Sequence, residues 1–131
     1  MLCEADVVVG HNIKRFDLRK INARLILQGF DPPPPVQVVD TMQIAKRKFL
    51  FTKNTLSYLS SRLCKQKKSS RGKYPGQLLW DACMDRDQKA WAEMKRYNIQ
   101  DVISTEELFE KFNAWDNTIN WDVFHESQTP P

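Results

Sequence analysis

Val7-Val8-Val9-Gly10-His11-Asn12-Ile13-Lys14-Arg15-Phe16-Asp17 is the stretch on which the fold turns. Consecutive β-branched residues ended by glycine predict a short buried strand over Ala5 to Gly10, of the kind that lies parallel in a covered sheet. After the turn, Asp17 is placed to cap a helix running from about Leu18 to Gln28. Leu18, Ile21, Leu25 and Ile26 would share one side of it. Gly29 suits the left-handed position past a helix end, and Phe30 the apolar contact that follows it. Pro32 to Pro35 then forbid helix and predict a stiff extended connector.

The same punctuation continues outward. Val36 to Val39 reads as a second short strand, and Asp40 or Thr41 can cap a helix of roughly Met42 to Phe49. Asn54-Thr55 opens another helix, Leu56 to Leu63. From Leu78 to Phe112 the pattern is helical, with breaks expected near Cys83–Asp85 and Tyr97–Asn98. Trp91, Met94, Val102, Leu108, Phe109 and Phe112 would form its core side. The expectation is an α/β protein with short parallel strands flanked by helices and a helix-rich C-terminal half.

The chain has 131 residues, 41% of them hydrophobic, which suits one globular domain and excludes global disorder. No apolar run reaches the roughly 20 residues that span a bilayer, and the acidic start Met1–Asp6 does not resemble a signal peptide. An intracellular, cytoplasmic location is therefore expected. Cys3, Cys64 and Cys83 match no zinc spacing and read as free thiols. The net charge of +4 gathers in a basic loop at 62–76, where Arg62, Lys65, Lys67, Lys68, Arg71 and Lys73 occur without an acid. Such a run fits either a phosphate backbone or a solvated surface. The tail, 115–131, reads as irregular.

Some eighty residues after Asp17 comes Tyr97-Asn98-Ile99-Gln100-Asp101. Together, the Asn12…Phe16-Asp17 turn and the Tyr-x-x-x-Asp helix resemble the second and third motifs of DEDDy-type 3′–5′ exonucleases, which have a ribonuclease H-like fold. The resemblance runs from about Ala5 to Phe112 in the right order. It implies a partial ribonuclease H-like domain and two-metal phosphodiester hydrolysis with magnesium or manganese, which take hard oxygen ligands. By the same resemblance, Asp17 and Asp101 are metal carboxylates and Tyr97 orients the attacking water. Asn12 and Phe16 shape the substrate site, and Asp40-Thr41 matches a supporting Asp-Thr step.

The family's first motif, Asp-x-Glu, does not occur in these residues, and neither does the strand meander that carries it. The domain is therefore expected to be incomplete, with one edge of the Val7–Val9 strand left open. A second chain could supply the first motif, or copies of this chain could associate along that edge. Nucleic acid is the implied partner, DNA before RNA, with Lys65, Lys67, Lys68 and Arg71 as its further contacts. Taken singly, Asp17 reads as a helix cap, Tyr97 as a core tyrosine and Asp101 as a solvated residue. Two other readings stay open, a non-catalytic nucleic-acid binder and an assembly module.

Overall fold

A computed structural model describes residues 2–65, 77–116, 119 and 123. β1 (Val7–Gly10) and β2 (Gln37–Asp40) pair in parallel, with Val8 opposite Val38 and Gly10 opposite Asp40. Between them runs α1 (Asp17–Leu27), and after them come α2 (Thr41–Lys48), α3 (Leu56–Leu63), α4 (Gln77–Met84) and α5 (Gln88–Asn113). The expected order of short parallel strands and a helical C-terminal half is the order observed.

Local chemistry explains the boundaries. α1 ends in the double bond of a Schellman motif, Gly29 N–H to Ile26 C=O at 3.1 Å and Phe30 N–H to Leu25 C=O at 3.0 Å. Gly29 holds the φ of +76° that this closure requires. α2, α3 and α5 start on the side chains of Asp40, Thr55 and Asp87, each accepting from a backbone N–H in the first turn. The start of α1 departs from expectation. Its N-cap is Phe16, which makes no side-chain cap bond, and Asp17 is already the first helical residue. The reason lies in the turn before it, where the Phe16 and Leu18 N–H groups find the carbonyls of Asn12 and Ile13 at 3.0 Å.

α5 packs on β1, α2, α3 and α4. Its buried line, Leu108 and Phe112, meets Val39, Ile44, Ala45, Leu59 and Cys64 in the main core. Phe49 closes one end of that core, with ring centroids 5.0 Å from Phe51, 5.4 Å from Phe112 and 5.5 Å from Trp115. Such offset contacts add about 0.5–1.5 kcal/mol each beyond burial. A second cluster joins α4 to α5 through Leu79, Cys83, Ala90 and Tyr97. The expected break near Cys83–Asp85 is the α4–α5 joint, but α5 runs unbroken through Tyr97–Asn98. No glycine or proline interrupts that segment, and Asn98 faces solvent, where it does not compete with the helix. Trp91 and Val102 are exposed, not core residues, because the line set by Ala90, Tyr97, Ser104 and Leu108 turns them outward.

β1 is half-buried along its length, not buried as expected, while β2 buries Val39 and Asp40. Among the described residues the sheet has two strands. α1 therefore buries none of its residues completely, and Ile26 and Leu27 stay 76% and 81% exposed. Among those same residues, no helix is long and apolar enough to cross a membrane.

Candidate functional site

The carboxyl ends of β1 and β2 carry the site, at the edge where ligands gather in open α/β sheets. Their register places Asp40 beside Gly10, so one buried carboxylate serves two turns. Asp40 Oδ1 accepts the N–H of Asn12 at 2.8 Å and of Met42 at 3.0 Å, with Gln43 at 3.4 Å. Its Oδ2 accepts the N–H of Lys14 at 3.2 Å. The cap of α2 is thus also the clamp on the turn that delivers Asp17. Gly10 is held to glycine here, since a Cβ would lie 2.6 Å from Ile13 Cβ. Asn12 takes a φ of 59°, which asparagine tolerates better than most residues.

His11 locks the same corner. Its Nε2 lies 2.7 Å from the Asn54 carbonyl, so that nitrogen carries the proton and donates. Nδ1 lies 2.8 Å from the Thr41 hydroxyl, which also stands 3.3 Å from the Gly10 carbonyl. One hydroxyl proton cannot serve both. In the neutral ring it goes to Nδ1, and in the charged ring Nδ1 donates and Thr41 turns to Gly10. Burial pushes the His11 pKa below its usual value, against the pull of the Asn54 carbonyl and Asp40, so the neutral arrangement holds. His11 is then a hydrogen-bonded strut. The reach of Asp40 to Asn12 and Lys14 was not legible, because a cap residue carries no sequence mark of a long-range partner.

Asp17 is exposed at the first turn of α1, and Phe16 beside it is 57% exposed. Asp101 is half-buried on α5, one turn beyond Tyr97, so the two share a side of that helix. Tyr97 itself is buried against Leu79, Cys83 and Ala90, and the Arg96 guanidinium stands 4.8 Å from its ring centre. α5 packs on β1, with Leu108 and Phe112 in the shared core, while Tyr97 belongs to the cluster that joins α5 to α4. Lys65 is exposed, and its N–H donates to both Glu107 carboxylate oxygens at 2.9 and 3.1 Å. Lys67, Lys68 and Arg71 lie outside the described residues, as does most of the tail.

A two-ion centre needs several hard oxygen ligands converging within a few ångström. Among the described residues no three His, Cys, Asp or Glu side chains converge to hold a metal. Asp17 and Asp101 supply the right donor chemistry but half the carboxylates, so the residues present do not fit a complete two-ion centre. Cys64 offers no substitute, being buried with its thiol pushed up by desolvation and by the Glu107 charge.

A profile of the RNase H superfamily (RNase_H_2) matches residues 1–113. No curated protein and no solved structure matches the chain.

Proposed function

The chain belongs to the RNase H superfamily, and from that premise we propose that it is the C-terminal part of a DEDDy-type 3′–5′ exonuclease domain. Its parallel strand pair flanked by helices is a partial ribonuclease H-like fold. Nuclease-type chemistry on nucleic acid is the activity class of that superfamily. The finer reading rests on one observation above others. The turn after β1, clamped by Asp40, ends in Asp17, while the helix packed on β1 carries Tyr97 and Asp101 on one side.

In this reading Asp17 and Asp101 are the carboxylates of the second and third motifs, and Phe16 lies against a terminal base. Tyr97 serves the water at the scissile phosphate. Its buried ring fixes where the hydroxyl can be presented. Single-stranded DNA is the first substrate to test. The remaining acidic ligands come from a segment or chain that carries the Asp-x-Glu motif.

The test is a 5′-labelled single-stranded oligonucleotide in magnesium or manganese, with Asp17→Ala and Asp101→Ala run alongside. The expected result is slow stepwise shortening from the 3′ end that either substitution returns to background. Internal cuts, or a ladder equal in all three proteins, would contradict the assignment. That no ligand group converges among the described residues favours a second reading, a nucleic-acid-binding descendant without turnover. No ladder in any protein would point to a half-site, and binding that stays without a ladder when the Asp-x-Glu segment is supplied would select the second reading.

A further inference from the structure

The Arg62–Lys73 run is not the only basic segment. Between His11 and Gln28 the chain holds Lys14, Arg15, Arg19, Lys20 and Arg24 against one acid, Asp17. All five cations are exposed, and they border the turn and helix that carry the site. Their arrangement is directional. Asp17, Lys20 and Arg24 fall at i, i+3 and i+7 on α1, so they lie along one side of it. Phe16 stands at the head of that line, with the Lys20 ammonium 5.9 Å from its ring centre. At 1.5 Å per residue, Lys20 and Arg24 are about 6 Å apart along the axis.

A solvated helix face is ordinarily a mixture of signs, and α1 contains a single acid, placed at the site end. An exposed aromatic ring leading a row of cations is the combination that single-strand binders use. The ring stacks on a base and the cations follow the backbone. The spacing of about 6 Å compares with two stacked nucleotides at about 3.4 Å each.

We propose that the α1 stripe of Phe16, Lys20 and Arg24 is a binding track for single-stranded nucleic acid, guiding the strand whose 3′ end lies at Asp17. This track deepens the exonuclease reading and rests on it for direction. It assigns the phosphate contacts nearest the site to α1.

The experiment is fluorescence anisotropy of a 5′-fluorescein oligothymidylate in EDTA, so that binding is read without cleavage. Lys20→Ala/Arg24→Ala is expected to weaken binding about tenfold at low salt. It should also flatten the slope of log Kd against log salt by about 1.4, the value for two lost phosphate contacts on a single strand. Phe16→Ala is expected to weaken binding about fivefold or more with the slope unchanged, because stacking releases no counterions. Alanine favours helix, and a far-UV spectrum equal to wild type will show that α1 persists.

Lys89→Ala/Lys111→Ala removes the same charge from α5 and is the control, expected to change binding less than about twofold. Equal loss in stripe and control variants would overturn the track, leaving only general charge. So would a stripe variant that binds like wild type while Lys65→Ala/Lys67→Ala/Lys68→Ala abolishes binding. Neither result touches the exonuclease reading, which is judged by the metal-dependent ladder and its loss in Asp17→Ala and Asp101→Ala. A stripe variant that loses binding while the wild-type chain gives no ladder would sustain the track in a chain that binds nucleic acid without cutting it.

Discussion

Removing the Asp40 carboxylate should cost more than removing an ordinary helix cap. Asp40 is 3% exposed and accepts four backbone N–H groups, two at the start of α2 and two in the turn after β1. Loss of the cap alone is worth about 1 kcal/mol. The Asn12 and Lys14 N–H groups lose a charged acceptor, at about 1.5 kcal/mol or more each before water re-enters. Asp40→Ala is therefore expected to lose about 3–4 kcal/mol, a large part of the roughly 5–15 kcal/mol that holds a small domain. Asp40→Asn separates the two roles. Its amide oxygen can still serve Asn12 and the α2 cap, while the amide nitrogen would face the Lys14 N–H, donor against donor. A loss of about 1–2 kcal/mol is expected for it. Urea unfolding followed by circular dichroism measures both, with the midpoint falling and the m-value unchanged. An Asp40→Ala midpoint within about 0.3 M of wild type would refute the dual clamp.

Gly10→Ala should destabilise by about 1–3 kcal/mol through overlap with the Ile13 side chain, as read by melting temperature. His11 is held below its usual pKa of 6.5, so the unfolded state takes the proton first. Its contribution is full above 6.5 and is lost as pH falls from there through the folded pKa, and His11→Gln should flatten the wild-type fall in melting temperature between about pH 7.5 and 5.5. A thiol reagent at neutral pH should label exposed Cys3 quickly, while buried Cys83 and the raised thiol of Cys64 label only on unfolding. Mass spectrometry of the labelled peptides decides it.

Where local signals sufficed, sequence and structure agree. Val7–Gly10 announced its strand by consecutive β-branched residues, and Gly29-Phe30 announced a helix end that closes as expected. Thr55 likewise marked the start of α3. Failures came where a long-range partner decides. Helical periodicity made Trp91 and Val102 core candidates, but which side of α5 is buried depends on α2, α3, α4 and β1. Asp17 had the chemistry of an N-cap, yet backbone bonds within the Asn12–Phe16 turn carry the chain into α1 without it. For the site, Asp17, Tyr97 and Asp101 were visible as motif letters. The clamp by Asp40 and the His11–Thr41 lock required the strand register, which no single segment encodes. The cations of α1 were overlooked beside the run at 62–76, and the helix aligns Lys20 and Arg24 with Asp17.

In the proposed exonuclease Asp17 and Asp101, far apart in the chain, belong to one divalent-metal site. Manganese titrated into isotope-labelled protein tests it directly, because the paramagnetic ion broadens amide signals near it. The signals around Asp17 and Asp101 should broaden together at the same manganese concentration, and Asp17→Ala should remove both effects. Broadening at Asp17 without Asp101, or equally at exposed carboxylates such as Asp85 and Glu110, would contradict it.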